Sequence, residues 1–427
     1  MRVCETRQST SVDMGTSAIG PHVSIEHAGE DAGKKIIASA RKSWQDIVYS
    51  FVTGRREDVM KLMQGALAVA LTVWAIPALA EDVKLGAVYS IEGIFSAVGG
   101  PERDGAQLAV EQLNQAGGVG GKHINLTIYD DGGDQAKAVQ LANRLIFQDK
   151  VSAAFGPTVT PTGEMIAPIY EQNKILEIGV IAQDYLWKDT QYIFMSIPTD
   201  AVLVEAMLNQ ARKTGAKKIA IAYADVPYGV SGAKLMRQGA KNADVEIVGE
   251  TKWGESDIDF TPAANQLHAA KADAILAWGS CAIADAQIVK ALRDTGDKTP
   301  IIGNICFALP TIAQVAGKSA EGTISFSLID YSHPSAPAAA FLAAFSAKYK
   351  HGASPFAAAA YDGVQLWSHA VARAGGKTDS TSVAAAMIGV DYDGVIGHFK
   401  VTKDNHTGLD TSAYKVIVLK NGNWTTY

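Results

Sequence analysis

The stretch that decides the fold runs from Lys84 to Asp134 and reads KLGAVYSIEGIFSAVGGPERDGAQLAVEQLNQAGGVGGKHINLTIYDDGGD. It opens with an apolar run over 84–89, which is typical of a buried strand, and a Gly-rich segment over 96–100, which predicts a loop. Ala106, Ala109, Val110 and Leu113 then recur at helical spacing on one face.

The second half of this stretch predicts the end of the helix and a further strand. Gly117 and Gly118 stand where a helix ends in a left-handed cap. Ile124, Leu126 and Ile128 then alternate as in a half-buried strand. A strand, a crossover helix and a second strand predict a parallel pair with a right-handed connection.

This strand–helix unit repeats along the chain and restarts near Asp200. Strands are predicted near residues 85, 125, 153 and 177, and again near 220, 247, 276 and 301. Such alternation predicts an α/β protein with two doubly wound parallel sheets. Ligands of such sheets bind at the carboxyl ends of the strands, so the loops after the strands are the places to look for a site.

Composition and charge narrow the function classes. The chain has 427 residues, 48% of them hydrophobic and 19% charged, which indicates a globular protein of more than one domain. The net charge of −6 gives no electrostatic reason to expect nucleic acid as a partner.

An export signal is predicted inside the chain, over residues 60–80. Met60 and Lys61 precede an apolar run that ends at Ala78-Leu79-Ala80, in the order of a signal peptide cleaved after Ala80. The alternative is a membrane anchor, but the run is shorter than the roughly 20 residues that a span needs. We therefore expect a periplasmic protein, with residues 1–59 absent from it because translation begins at Met60 or Met63.

Catalytic and metal-binding motifs fail on inspection. The sequence contains neither a G-x-S-x-G nucleophile elbow nor an H-E-x-x-H zinc motif. The run from Asp130 to Asp134 lacks the spacing and the closing Glu of a calcium loop. The glycines at 117–121 come after a helix instead of a strand, which is the wrong side for a phosphate. We predict no enzyme, no metal and no cofactor.

Several of these segments together resemble the solute-binding proteins of ABC importers of the leucine/isoleucine/valine-binding type. The resemblance covers residues 83–422 and is carried by Gly86, the runs 105–110, 114–122 and 129–131, and, in the expected order, the short segments at 156–157, 169–171, 228–229, 259–260, 320–322 and 360–362. It implies a type I periplasmic-binding fold, with two Rossmann-like lobes joined by a three-strand hinge. The lobes would comprise 81–199 plus 329–403, and 200–328 plus 404–427.

The resemblance also implies where the ligand binds, in the cleft between the lobes. Thr160, with Thr158 and Val159, corresponds to the carboxylate-binding loop. A hydroxyl beside free helix N–H groups suits that role, although Thr160 could instead only cap its own helix. The predicted ligand-binding residues are Phe95, Thr158, Val159, Thr160, Ile181, Ala182, Gln183, Tyr228, Ser280, Cys281, Asn304 and Phe307. Phe95 and Phe307 are aromatic residues that could line the cleft or instead belong to the core. Gln183 replaces a usual threonine, and Tyr228 could alternatively pack under its own loop.

The sequence departs from the family's amino-acid binders after Gly303. There the family places an acid that holds the ligand's ammonium group, whereas this chain reads Asn304-Ile305-Cys306. A buried ammonium without a charge partner is costly. We therefore expect a small carboxylate that is not an amino acid, first of all an aromatic acid. Asp184 or Asp225 could substitute as the anchor, which keeps a branched-chain or other hydrophobic amino acid as the alternative.

The three cysteines are too few for a disulfide scaffold. Cys281 and Cys306 occupy two strand-end loops and could form a disulfide in an oxidising compartment, or be two small buried residues. In sum, we expect a monomeric, non-enzymatic receptor that delivers its ligand to a membrane permease, or a sensor of amides or amino acids on the same fold.

Overall fold

The computed structural model describes residues 81–427 and, apart from these, only Gln45. The predictions for residues 1–59 and for a signal peptide cleaved after Ala80 lie outside the described residues. Within them, no helix is both long and apolar enough to cross a membrane.

The helices and strands have the predicted alternation. The strands are β1 Val83–Tyr89, β2 Ile124–Asp130, β3 Ala153–Phe155, β4 Leu176–Gly179, β5 Ile193–Met195, β6 Lys218–Ala224, β7 Glu246–Trp253, β8 Ala274–Trp278, β9 Ile301–Gly303, β10 Ile324–Ser327, β11 Asp391–Asp393, β12 His398–Lys400, β13 Lys415–Lys420 and β14 Asn423–Thr426. The α-helices are α1 Ser96–Gln115, α2 Gln135–Arg144, α3 Thr160–Gln172, α4 Asp184–Trp187, α5 Asp200–Lys213, α6 Pro227–Asn242, α7 Thr261–Ala270, α8 Ala284–Asp294, α9 Pro310–Ala316, α10 Ala336–Tyr349, α11 Pro355–Arg373 and α12 Ser380–Met387.

The first sheet has five strands in the order β2-β1-β3-β4-β5, and all of its pairings are parallel. Val83 lies opposite Ile124 and Tyr89 opposite Asp130, which confirms the predicted strand–helix–strand unit. The central strands β1, β3 and β4 are buried almost throughout, as parallel strands with covered faces are.

The second sheet has seven strands in the order β14-β13-β10-β9-β8-β6-β7. Strands β6 to β10 are parallel, whereas β13 and β14 are antiparallel additions at one edge. Together the two sheets make the α/β architecture that the sequence predicts.

The chain passes between the two sheets three times: after β5, after β10 and before β13. After β10 it forms helices α10 to α12, of which α11 packs along α1 beside the first sheet. The closest approach is at Gly105, where a Cβ atom would lie 2.0 Å from the carbonyl oxygen of Ala357. This glycine therefore sets the distance between α1 and α11.

The predicted Gly-rich loop at 96–100 is wrong, because these residues form the first turns of α1. Gly99 is needed for close packing, since a Cβ atom there would lie 2.1 Å from the carbonyl oxygen of Ser90. Glycine has a low helix propensity, which is why the sequence predicts a loop here. Tertiary packing nevertheless holds these glycines in a helix. The cap at the other end is confirmed: Gly117 and Gly118 have φ of 101° and 81°, and the Gly118 N–H donates to the Leu113 carbonyl at 2.9 Å.

Candidate ligand site

A cavity of about 250 Å³ lies between loops that belong to the two sheets. The first sheet contributes the loops after β3 and β4, and the second contributes those after β6, β8 and β9. The lining residues are Phe95, Val98, Gly133, Thr158, Val159, Thr160, Pro161, Val180, Ile181, Ala182, Ile197, Asp200, Leu203, Val226, Pro227, Tyr228, Glu255, Ser280, Cys281, Ile305, Cys306, Phe356 and Tyr414. Its position at the carboxyl ends of parallel strands is the one that doubly wound sheets use for ligands.

The loop after β3 presents a helix start to the cavity. The N-cap of α3 is Val159, which makes no side-chain cap, and Thr160 is the first helical residue. Thr160 is therefore not the N-cap, and its hydroxyl and the first-turn N–H groups can serve an anion in the cavity.

Thr158 also lines the cavity, but its hydroxyl is already engaged. It accepts from the Ser90 N–H at 2.9 Å and donates to Glu102 Oε2 at 2.5 Å. Glu102 itself is wholly buried on α1. This loop is thus attached to the buried interior of the first sheet.

Phe95, Ile181 and Ala182 form apolar parts of the same wall. Gly133 faces Phe95 so closely that a Cβ atom would lie 2.7 Å from its ring. The glycine therefore leaves room for the aromatic side chain at the cavity.

Tyr228 reaches the cavity from the start of α6. Its ring packs against Trp278 at a centroid distance of 5.5 Å, and its hydroxyl lies 3.5 Å from both Asp200 Oδ1 and Asn304 Nδ2. Burial and, next, the Asp200 charge raise the pKa of Tyr228 well above its ordinary value, so the phenol keeps its proton.

Three predicted site residues lie behind the wall and do not line the cavity. Gln183 is buried, donates from Nε2 to Asp200 Oδ2 and accepts from the Ser231 hydroxyl at 3.3 Å. Asn304 is buried and exchanges two hydrogen bonds with the Gly279 backbone, at 3.1 and 3.0 Å. Phe307 belongs to the hydrophobic core beneath Gly303. In the structure, these side chains contact residues in or behind the cavity wall and not the cavity itself.

The second sheet closes its side of the cavity with a disulfide. Cys281 and Cys306 are bonded to each other and both line the wall. The Cys281 N–H donates to buried Asp285 at 2.9 Å, which fixes the loop after β8. Ser280 lies in the same wall, and its hydroxyl has no hydrogen-bond partner among the described residues.

The cavity is also lined by two acidic residues, Asp200 and Glu255, which were not predicted from the sequence as site residues. Asp200 is buried at the start of α5, where Thr199 caps the helix. The two acids that the sequence offered as substitute anchors, Asp184 and Asp225, follow strands, whereas Asp200 lies in the first passage between the two sheets. A Thr-Asp pair at a predicted helix start was the available signal.

Of the two substitute anchors considered from the sequence, Asp225 does not take this place. Asp225 is exposed, pairs with Lys252 Nζ at 2.7 Å and does not line the cavity. The side chain of Asp184 lies outside the described residues. Among the described residues, no group of three His, Cys, Asp or Glu side chains is placed to hold a metal ion.

The comparisons with known proteins agree with this geometry. A family profile described as "Periplasmic binding protein" matches residues 82–423. The Leu/Ile/Val-binding protein homolog 3 of Brucella melitensis is 25% identical over 332 residues, which cover 77% of this chain and 89% of the relative. The Leu/Ile/Val-binding protein of Escherichia coli K12 is 26% identical over 269 residues, or 62% of this chain and 71% of the relative.

A solved structure extends the likeness to the whole described region. The branched-chain amino acid transporter substrate binding protein LivJ of Streptococcus pneumoniae, in complex with isoleucine, aligns with a TM-score of 0.73 at 29% identity and covers 81% of this chain and 98% of its own. The leucine binding protein LivK of Thermotoga maritima, at 20% identity and a TM-score of 0.72, shows the same fold. The chain is a type I periplasmic binding protein and belongs to the periplasmic binding protein family.

Proposed function

We propose that this protein is the receptor of an ABC importer and binds a hydrophobic α-amino acid in the cavity, for delivery to a membrane permease. The observation that carries the proposal is the pairing, in one apolar cavity, of the helix start at Thr160 with the buried carboxylate of Asp200. One end suits a ligand carboxylate, and the other suits an ammonium group.

Asp200 changes the choice of ligand made from the sequence. The aromatic acid was preferred only because no acid comes after Gly303 to hold an ammonium group. Asp200, with Glu255 on the same wall, supplies that charge from other segments. The alternative of a branched-chain or other hydrophobic amino acid is thereby favoured, and the names of the relatives point the same way.

The rest of the cavity wall suits an apolar side chain. Val98, Val180, Ile197, Leu203 and Phe356 carry no polar side-chain atom, and the disulfide closes the opposite face. Apolar contact of this kind contributes roughly 25 cal/mol per Å² of ligand surface removed from water. A polar or charged ligand side chain would find few partners here.

An aromatic acid remains the second candidate, because Phe95, Tyr228, Phe356 and Tyr414 all reach the cavity. It would use the same helix start and leave Asp200 without a ligand partner. The two candidates differ in whether the ligand carries an ammonium group for Asp200, which makes them separable by experiment.

A thermal-shift screen of the 81–427 protein tests the proposal with leucine, isoleucine, valine, benzoate-like and phenylpropenoid acids, aliphatic acids and amides. A ligand at 100 times its dissociation constant stabilises the fold by about 2.7 kcal/mol, which is readily measured. We expect shifts with the hydrophobic amino acids. Shifts confined to the aromatic acids would transfer the proposal to the second candidate, and no shift with any carboxylate would overturn it.

The proposed organisation has two lobes, 81–199 plus 329–403 and 200–328 plus 404–427, acting as a monomer in the periplasm. The three passages of the chain between the sheets would form the hinge about which the lobes close on the ligand. Uptake of labelled leucine by cells with and without the gene separates transport from sensing. Unchanged uptake in the deletion strain would favour a sensor.

A further inference from the structure

A cluster of buried polar groups adjoins Thr158, and none of its members lines the cavity. It consists of Glu102 on α1, Tyr89 at the end of β1, Ser90 and Asp131. The Ser90 hydroxyl donates to Asp131 Oδ1 at 2.7 Å, and the Ser90 N–H donates to Thr158 at 2.9 Å. Thr158 thus connects this buried cluster to the ligand cavity.

Glu102 is the unusual member of the cluster. Its side chain is 0% exposed, and Oε2 is bonded to the Thr158 hydroxyl at 2.5 Å. Oε1 has no hydrogen-bond partner among the described residues, and neither does the Tyr89 hydroxyl or Asp131 Oδ2. A buried carboxylate with an unsatisfied oxygen and no cation is unstable as the anion.

The hydrogen-bonding capacity of the Thr158 hydroxyl links Glu102 to the ligand. A hydroxyl donates one hydrogen bond and accepts two. When Glu102 is ionised, the Thr158 hydroxyl donates its only hydrogen bond to Oε2 and has none to donate to a ligand in the cavity. When Glu102 is protonated, the Thr158 hydroxyl accepts hydrogen bonds from the Ser90 N–H and from Glu102. It can then donate its own hydrogen bond to a ligand in the cavity.

We propose that Glu102 is a positioning residue for the ligand carboxylate: in its protonated form it donates to Thr158 and turns the Thr158 hydroxyl into a donor for the ligand. The inference rests on the proposed function, in which the carboxylate lies at the Thr158–Thr160 loop. In this arrangement the ligand carboxylate has two hydroxyl donors, Thr158 and Thr160. Ligand binding then depends on the Glu102 proton, although Glu102 does not contact the ligand.

The electrostatics of the cluster agree with this assignment. Burial, chiefly, and the Asp131 charge raise the pKa of Glu102 to about 8, although the Thr158 hydrogen bond opposes the shift. Glu102 is thus protonated below about pH 8. Because a ligand carboxylate adds a further negative charge, binding favours the protonated form, and affinity is expected to fall as the pH rises through this range.

Other titratable groups around Glu102 do not supply a counter-charge. Tyr89 on β1 has its pKa raised well above the usual value by burial, and Asp131 after β2 has its pKa raised as well. On α1 itself, Arg103 pairs with Asp104 at 2.7 Å. The packed helix α11 carries no titratable residue over 355–360, and its first, Tyr361, is bonded to Gln112.

Affinity measured against pH tests the inference. The dissociation constant of the carboxylate ligand identified by the screen is measured from about pH 6.5 to about pH 9.5 in the wild type, Glu102→Gln and Glu111→Gln. Glu111 is exposed on the same helix, so it controls for the substitution. We expect the wild type and Glu111→Gln to weaken by up to about tenfold per pH unit above pH 8.

The glutamine of Glu102→Gln imitates the protonated acid, since its amide can donate to Thr158. At every pH, this variant should bind the ligand about as tightly as the wild type does at low pH. Its plot of affinity against pH should lack the part of the slope that comes from Glu102. The titration of an amino-acid ligand's own ammonium group affects all three proteins equally. Retention of the full wild-type slope in Glu102→Gln would overturn the inference, and so would a pH-independent wild type.

A second measurement needs no ligand. The infrared C=O stretch of a protonated Glu102 should appear when the spectrum of unliganded Glu102→Gln is subtracted from that of the wild type at about pH 6.5. Subtraction removes the bands of other buried acids such as Glu177, whose pKa is also raised by burial. Subtracting the Glu111→Gln spectrum should leave no such band.

The two measurements separate the inference from the proposed function. Absence of the Glu102 band refutes the inference even if an amino acid binds. If the band is present but no carboxylate binds, the proposed function fails while Glu102 is still shown to hold its proton.

Discussion

In the proposed function, Thr160 is the residue on which the carboxylate end of the site depends. We expect Thr160→Ala to weaken binding of the amino acid by about 10-fold to 100-fold, because a hydrogen bond to a charged group contributes about 1.5–3 kcal/mol. Thr160→Ser keeps the hydroxyl and should restore most of the affinity. Isothermal calorimetry checks both variants, and equal affinity of Thr160→Ala and the wild type would remove this side chain from the site.

In the proposed function, Asp200 decides the class of ligand. Asp200→Asn should weaken binding of leucine by about 2–4 kcal/mol, since the ligand's ammonium group loses its charge partner in a desolvated site. Binding of an aromatic acid should stay the same or improve. Asp225→Asn is the matched control, because Asp225 is exposed and paired with Lys252 away from the cavity. Equal losses in the two variants would contradict the anchor role.

At the residue scale, the sequence predicted the positions of the wall better than the roles of its side chains. Thr158 to Thr160, Ile181, Ala182 and Tyr228 were predicted at the ligand and do line the cavity. Asn304 and Phe307 come after the right strand but point into the protein, because a short 3₁₀ turn over Ile305–Ala308 turns Ile305 and Cys306 to the cavity instead. Their role as ligand contacts stays a prediction.

Asp200 was missed for a different reason. Its place in the cavity depends on how the passage after β5 crosses to the second sheet, which no local pattern encodes. Side-chain periodicity predicts which face of an element is buried, but not which distant loop it meets.

Among the elements, α1 makes two close backbone approaches through its glycines, Gly99 and Gly105. Gly105→Ala should destabilise the protein by about 1–3 kcal/mol, because the added methyl group would overlap the Ala357 carbonyl of α11. Gly100 lies in the same helix with no atom within 4 Å of a built Cβ, so Gly100→Ala should be neutral or stabilising by up to about 1 kcal/mol. Urea unfolding compares the two, and similar midpoints would refute this account.

Elements with strong periodicity were predicted well. The helical face of Ala106, Ala109, Val110 and Leu113 lies within α1, and the strands predicted near residues 85 and 125 are β1 and β2. Segment 96–100 was not, because the choice between loop and helix depended on contacts of Gly99 with Ser90. Local propensity yields to packing where two backbones approach closely.

The whole molecule is expected to close on its ligand. A ligand that contacts both sheets at once is bound best by a narrow cavity, so ligand binding should favour a compact form. Small-angle scattering of the 81–427 protein should show a smaller radius of gyration with leucine than without. Asp200→Asn at the same leucine concentration should show a smaller change. No change in the wild type at saturating ligand would argue against closure.

The fold as a whole was accessible from the sequence, since alternating strands and helices with their turn glycines predict doubly wound sheets. The three passages between the sheets were not, because no local sequence pattern marks where the chain leaves one sheet for the other. They entered the prediction only through the likeness to a family, and the exact limits of the two lobes stay a prediction.

Because Cys281 and Cys306 are bonded to each other, the chemical state of the cavity wall depends on the redox state of the compartment in which the protein is made. Thiols pair in oxidising compartments and stay reduced in the cytosol. A receptor made in the cytosol would carry two free thiols on the surface that meets the ligand, open to alkylation and to mixed disulfides. Preparations from the two compartments are therefore chemically different receptors, and the thiol count of a sample has to be known before its affinity means anything.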